Sequence, residues 1–196
     1  MKMSMNSKFC IGFEKKFIEI LIFVVIFSLS AILVWLFLPS LPPASFWFLL
    51  LVPAVVWFTI EIKINWKDKS RISKSVIIGI LLVVFNLLIN YNGVLQDIYI
   101  ISSQYSLFFI LANPIELLLI SFFGGTAWFL HLPKKFNLLR SVIDVAMLAS
   151  FGTVAELFIL TQNDLMTYIS VASIDPFFTY ALVWSILHFV YYKILK

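Results

Sequence analysis

Long apolar stretches dominate this chain and constrain its fold more than any motif does. Of 196 residues, 62% are hydrophobic and only 12% are charged, a balance too apolar for a soluble domain. A membrane-spanning helix needs about 20 predominantly apolar residues. The sequence therefore predicts an all-α, polytopic integral membrane protein, a six-transmembrane-helix bundle formed as a single domain over 1–196. The six predicted spans are approximately Phe17–Leu38, Pro43–Ile62, Ser75–Leu95, Tyr105–Leu130, Ser141–Thr161 and Phe177–Tyr192.

The basic residues predict the orientation of this bundle. All 14 Lys and Arg residues lie before the first span, between the second and third, between the fourth and fifth, or after the last. Cytoplasmic loops of membrane proteins are enriched in Lys and Arg, so both termini are expected in the cytoplasm (N-in/C-in), in the membrane of a prokaryotic cell. The positive charge is then expected to attract anionic lipid headgroups, and nucleic acid is not an expected partner.

Several classes of chemistry lack their residues in this sequence. There is no glycine-rich phosphate loop, no Walker lysine and no kinase signature, so nucleotide-driven chemistry is not expected. The two histidines, His131 and His188, lack the spacing of a metal site, and Cys10 has no second cysteine with which to form an internal disulfide. No cofactor and no metal is predicted.

Two of the acidic residues inside predicted spans lie away from the cytoplasmic ends of those spans. A charge at the bilayer centre costs on the order of 3 kcal/mol or more. Glu116 is predicted near mid-bilayer, and Glu156 in the outer half of the fifth span. A carboxylic acid in a dry site can donate a proton to an apolar substrate that arrives from the lipid. Other polar residues are expected to complete a pocket between spans three, four and five: Asn86, Asn90, Asn113 and Tyr105.

Prolines and small residues predict where the helices bend and touch. Pro53 and Pro114 fall inside predicted spans, where each is expected to bend its helix. Pro176 stands at a span boundary, where the missing N–H is tolerated. Small residues at Gly124–Ala127 and Gly152–Thr153 are expected to let neighbouring helices approach closely.

One region resembles a known family. Its segments are Phe85-Asn86-Leu87-Leu88, Gly93-Val94-Leu95, Tyr105 and Asn113-Pro114-Ile115-Glu116. Together they resemble the membrane-embedded lycopene β-cyclase domain of the heterodimeric or fused bacterial, archaeal and fungal type. That family pairs an aromatic-Asp step with a Gly-x-Trp turn and a Pro-x-Glu-Glu entry to the next span. Here its aspartate, tryptophan and second glutamate are replaced by Asn86, Leu95 and Leu117.

The resemblance implies a cofactor-free isomerisation. In that family a carboxylic acid protonates the end of a linear carotene, a carbocation closes the ring, and a base removes a proton. Glu116 would be the acid, and it would either recover the proton itself or share the task with Glu156. The expected partners are membrane lipids, an apolar isoprenoid substrate, and other subunits in a homo- or hetero-oligomer.

Two other functions fit the same features. A polar site at mid-depth beside a proline-broken helix is also what a small-solute binding or transport subunit needs, and water access to Glu116 would distinguish it from a cyclase. The patches Gly124–Ala127 and Gly152–Thr153 fit contact faces in a non-catalytic assembly subunit of a membrane complex. A large residue at Gly124 would then break association.

Overall fold

Five α-helices make up most of the chain that the structure describes. The structure is a computed structural model and covers residues 45–102, 106–161, 166–169 and 175–195. A π-helical turn extends the fourth helix over Ala155–Leu160, and another extends the fifth over Val190–Ile194. The helices are α1 (Ser45–Ile64), α2 (Lys69–Leu95), α3 (Ile115–His131), α4 (Leu138–Val154) and α5 (Pro176–Phe189).

Three helical segments among the described residues are long and apolar enough to cross a membrane. They are Lys69–Leu95, Leu138–Leu157 and Pro176–Ile194, and α3 is a shorter apolar helix. This confirms the prediction of a mostly helical chain with helices long and apolar enough to span a membrane. The first predicted span, Phe17–Leu38, lies outside the described residues. The count of six spans, their orientation and the single domain over 1–196 stay predictions.

The helix starts follow local capping chemistry. The first N–H groups of a helix lack partners within the helix, and Asp or Asn at the N-cap supplies an oxygen acceptor. Asp68 accepts from the N–H of Arg71 at 3.2 Å at the start of α2. Asn137 does the same for Arg140 at 3.1 Å, and Asp175 for Phe177 at 2.9 Å. Pro176 follows in the first turn of α5, as predicted for a span boundary.

The fourth predicted span is shorter than expected, because its N-terminal part is a hairpin. Strand β2 (Phe109–Ile110) pairs antiparallel with β3 (Asn113–Pro114), and α3 begins only at Ile115. Proline disfavours helical conformation in the residue before it, so Pro114 is the N-cap of α3 and does not bend a helix. The predicted bend at Pro114 is therefore wrong, whereas Pro53 does lie inside α1.

A second pair of strands joins two connections at the same end of the bundle. Strand β1 (Tyr99–Ile101) follows α2, strand β4 (Met166–Tyr168) follows the π-helical turn after α4, and the two pair antiparallel. Tyr99 lies opposite Tyr168 in this register. We call this the tyrosine end, where α2 and α4 finish and α3 and α5 begin. The opposite end, where α2 begins and α3 finishes, we call the basic end.

Helix α3 packs against both α1 and α2, α4 packs against α5, and α5 also contacts α2. Phe129 of α3 is completely buried, and its ring lies 5.0–6.1 Å from the rings of Trp184, His188 and Tyr191. Large apolar side chains such as Leu88, Leu182 and Phe189 are exposed on the outside. Hydrocarbon solvates an apolar exterior of this kind well, whereas water does not.

The close approach of α2 and α3 depends on Gly79. A methyl group at Gly79 would lie 2.9 Å from the main-chain oxygen of Phe122 and would also clash with the Thr126 hydroxyl. We expect Gly79→Ala to lower the free energy of unfolding by about 1–3 kcal/mol, the usual effect of overpacking. The measurement is the midpoint of unfolding in detergent micelles.

Gly124→Ala is the matched control for this prediction. Within the described residues, an added methyl at Gly124 meets no atom within 4 Å. The same change should there leave stability unaltered or raise it by about 0.5–1 kcal/mol through the better helix propensity of alanine. Equal losses at both positions would contradict the role given to Gly79.

Candidate functional site

Two of the predicted site residues meet at the tyrosine end. The side chain of Asn90 donates a hydrogen bond to the side-chain oxygen of Asn113 and accepts one from the Tyr99 hydroxyl at 2.8 Å. Asn113 is completely buried, and its amide donates to the main-chain oxygen of Leu111 at 2.8 Å. The two amides thus join the end of α2 to the hairpin before α3.

Glu156 lies in the π-helical turn that extends α4, and two tyrosine hydroxyls donate to its carboxylate. Tyr180 donates to Oε2 at 2.8 Å, and Tyr168 donates to Oε1. The residue as a whole is partly exposed. Single π-helical turns are frequently found at functional sites.

The two polar groups form one network through a pair of tyrosines. The rings of Tyr99 and Tyr168, which lie opposite each other in the β1–β4 pair, are 5.8 Å apart in an edge-on arrangement. Tyr99 bonds to Asn90, and Tyr168 bonds to Glu156. The structure therefore brings Asn90, Asn113 and Glu156 together. We call this set, with its tyrosines, the Glu156 network.

Glycines make room for two of these tyrosines. A methyl group at Gly93 would clash with the ring of Tyr99, and one at Gly152 would lie 2.9 Å from the ring of Tyr180. Gly152 stands one helical turn before Glu156, so the close contact brings the Tyr180 hydroxyl to the carboxyl. This confirms Gly152 as a packing position.

The tyrosines of the strand pair are hydrogen-bond donors. Burial raises the pKa of Tyr99 above its usual range, and the charge on Glu156 adds to that effect. Burial also raises the pKa of Tyr168, and its hydrogen bond to Glu156 raises it further. Both hydroxyls therefore keep their protons at neutral pH and have them available to donate.

Glu116 occupies a different place from the one predicted. It lies in the first turn of α3, where its two carboxylate oxygens accept from the N–H of Leu107 at 2.8 Å and from the Ser106 hydroxyl at 2.6 Å. Its exposed fraction is 1%. The carboxylate thus holds the segment before β2 against α3, and both oxygens are occupied by donors of the chain itself.

The hairpin that Glu116 holds has an unusual turn. Leu111 and Ala112 both have positive φ, at 45° and 63°, a conformation that costs non-glycine residues about 1–2 kcal/mol each. Strain of that kind persists only where surrounding contacts enforce it. The contacts made by Glu116 and Asn113 are those that hold this turn.

The remaining predicted site residues are less central. Asn86, one turn before Asn90 on the same face of α2, donates to the Ser121 hydroxyl of α3. That contact is separate from the Glu156 network. Tyr105 lies outside the described residues.

Sequence reasoning missed three tyrosines of the Glu156 network. Tyr99 bonds to Asn90, and Tyr168 and Tyr180 bond to Glu156. The available signal was the pair of glycines, Gly93 and Gly152, since a glycine within an apolar helix indicates close approach of another group.

The two histidines and the acidic residues Glu61 and Asp144 lie outside the Glu156 network. His131 contacts Glu61 at 2.9 Å at the basic end, and His188 contacts the main-chain oxygen of Trp184 at 2.9 Å. Arg140 lies 3.7 Å from Asp144, as their spacing on one helical face predicts. Within the described ranges no three His, Cys, Asp or Glu side chains converge in a way that could hold a metal ion.

Comparisons with known proteins leave the family open. No family model, no curated protein and no solved structure matches this chain. The resemblance to the lycopene β-cyclase domain stays a prediction from the residues quoted above.

The geometry of Glu116 predicts an effect on stability. Glu116→Gln replaces one carboxylate oxygen with an NH₂ group, so one of the donors, Leu107 N–H or the Ser106 hydroxyl, loses its acceptor. We expect a loss of about 1–3 kcal/mol and faster hydrogen exchange in the peptide that contains Leu107. Asp97→Asn, the same change at an exposed carboxyl near this end, is the control. Unchanged exchange at Leu107 would contradict the structural role of Glu116.

Proposed function

We propose that the protein is an integral membrane protein that binds a lipid-soluble isoprenoid at the Glu156 network and isomerises it by acid–base chemistry. A carotenoid cyclase of the lycopene β-cyclase type is the specific form of this proposal. One observation carries it: Glu156 is a partly exposed residue within a π-helical turn, and its carboxyl is held between the hydroxyls of Tyr168 and Tyr180.

Glu156 suits the role of acid better than Glu116 does. A catalytic group must reach the proton that it transfers. Both glutamates accept hydrogen bonds at each carboxylate oxygen, but the Glu116 side chain is almost fully buried. Glu156 is partly exposed, so a substrate can approach it. The acid assigned by the resemblance therefore moves from Glu116 to Glu156.

The surroundings of Glu156 favour an apolar substrate. Val154 and Leu157, its neighbours in the chain, are exposed, as is Phe178, two residues before Tyr180. Exposed apolar side chains on these two helical segments suit contact with a molecule dissolved in hydrocarbon. The tyrosine rings add aromatic faces that attract a developing carbocation.

The chemistry balances without a cofactor. The Glu156 carboxyl transfers a proton to a terminal double bond of the polyene, and the carbocation that results is attacked by a second double bond, which closes the ring. Loss of a proton from the neighbouring carbon to the carboxylate completes the isomerisation. The tyrosine hydroxyls hold the carboxylate in place while it is charged, because each can donate a hydrogen bond to it.

The membrane setting is part of the same proposal. Basic side chains lie at the basic end, among them Lys63, Lys67, Arg71 and Lys134. Membrane proteins are enriched in such residues on the cytoplasmic side, and this supports an N-in/C-in bundle of six spans. The Glu156 network then faces the outer half of the membrane.

Pigment analysis tests the proposal directly. In bacteria that accumulate lycopene, we expect the protein to yield monocyclic or bicyclic carotene and Glu156→Gln to lower that yield by about 100-fold or more, the usual contribution of a general acid. Tyr180→Phe should lower it less, because the carboxyl is retained and only one hydrogen bond is lost. The measurement is chromatography of extracted pigments, normalised to protein in the membrane.

Asp97→Asn is the matched control, since it makes the same carboxyl-to-amide change at an exposed position of the tyrosine end. It should leave the pigment profile unchanged. Full activity in Glu156→Gln would remove the proposed acid. If lycopene is unchanged although the wild-type protein is present in the membrane, the proposal of a lycopene cyclase is overturned.

A non-catalytic assembly subunit is the second candidate, and one observation favours it. Asn90, Asn113 and Glu116 all bond to groups of the same chain, as expected of polar residues that only hold helices together. In that case Glu156→Gln would alter stability and association but no pigment.

A further inference from the structure

The strongest unassigned feature of the molecule lies at the basic end, far from the Glu156 network. A cleft of about 210 Å³ opens there between the first turns of α2, the connection after α3, and the C-terminal turn that extends α5. That volume is below the roughly 300–1,000 Å³ of sites that enclose a whole organic ligand. It suits a site that holds only one small group. The lining includes Asp68, Ser70, Arg71, Lys74, Lys134 and Tyr192.

The charge of this cleft is positive. Arg71, Lys74 and Lys134 supply three cations, and Asp68 supplies one carboxylate. The hydrogen bond from Lys134, which lies 2.7 Å from Asp68, lowers the pKa of that carboxyl, and the N–H of Arg71 lowers it further. Asp68 is therefore ionised at neutral pH and offsets one cation, while Lys74 has no ion pair among the residues described.

Arg71 is held in place for such a role. Its Nη2 donates to the main-chain oxygens of Leu130 and Leu132 at the end of α3. The arginine side chain is therefore fixed at the wall of the cleft. Arginine held in this way is well suited to phosphate oxygens.

The level of the cleft matches that of lipid headgroups. Helix α2 has 27 residues and is therefore about 40 Å long, whereas the hydrocarbon core is about 30 Å thick. The apolar part of α2 begins after Ser75, so the turns that line the cleft extend beyond the hydrocarbon. Trp66, in the connection before α2, is 67% exposed, as expected of a side chain that anchors a protein at the interface.

We propose that this cleft is a phosphate-binding site in which Arg71, Lys74 and Lys134 hold the phosphate group of an anionic lipid or of a soluble phosphorylated molecule. Basic pockets between membrane helices commonly hold anionic headgroups. The position of the cleft at the interface favours the lipid. The site is independent of the isomerisation proposed for the other end.

The test compares two double variants with the same change of charge. Lys74→Gln/Lys134→Gln removes two cations from the cleft. Lys69→Gln/Lys135→Gln removes one from the same helix and one from the same connection, at exposed positions that do not line the cleft. Native mass spectrometry of the full chain in detergent, with equal amounts of phosphatidylglycerol and phosphatidylcholine, measures which lipid is retained.

We expect wild type and the Lys69/Lys135 variant to retain phosphatidylglycerol over phosphatidylcholine, and the Lys74/Lys134 variant to bind it about tenfold more weakly or worse. If both double variants weaken phosphatidylglycerol binding equally, the effect comes from general surface charge and the proposed site is overturned. So would the absence of any preference for phosphatidylglycerol together with no binding of inorganic phosphate.

A second arm separates the two sources of phosphate. Inorganic phosphate is added alone and the thermal midpoint is measured, because a ligand that binds the native state raises it. Protection by phosphate alone, lost in the Lys74/Lys134 variant, would assign the site to a soluble phosphorylated molecule. Protection only by phosphatidylglycerol would assign it to lipid. If the double variant does not elute as a folded protein, Lys74→Gln against Lys69→Gln repeats the comparison with one change each.

Discussion

The contact between α2 and α3 is the interaction on which the rest of the described structure depends. It runs along one stripe of α2, through residues one or two helical turns apart that lie on the same helical face. At one end Arg71 bonds to the last carbonyls of α3. Gly79 makes room for Phe122 and Thr126 in the middle, and Asn86 and Asn90 bond across at the other end. Each candidate site has one member on this stripe, Arg71 in the basic cleft and Asn90 in the Glu156 network.

A lipid environment explains why this stripe contains polar residues. In lipid, apolar side chains gain little by leaving the hydrocarbon, so small residues and interhelical hydrogen bonds determine which faces meet. Asn90 and Asn113 bond to each other, and Asn113 also bonds to the strained turn at Leu111. The same pair thus holds two helices in register and stabilises a backbone conformation that the turn sequence alone would disfavour.

Local rules predicted part of this arrangement. The shared face of Asn86 and Asn90 and the Arg140–Asp144 pair follow from helical spacing, and the structure agrees with both. The hairpin before α3 was missed because a hydropathy window counts apolar residues and takes no account of backbone conformation. Pro114 carried the information, since a helix seldom continues through the residue before a proline. Tyr168 could not be found from spacing, because its place depends on the pairing of β1 with β4, two segments far apart in the chain.

The two candidate sites are physically separate, and this bears on how each can be interpreted. They lie towards opposite ends of α2, on which Arg71 and Asn90 are about 28 Å apart at 1.5 Å per residue. Screening at physiological ionic strength limits charge effects to about 8 Å in water, so removing lysines at the basic end does not change the field at Glu156 through the solvent. A variant at one end that altered binding at the other would have to act through the helices that reach both ends, α2 and α5, and Gly79→Ala probes the packing of α2 against α3.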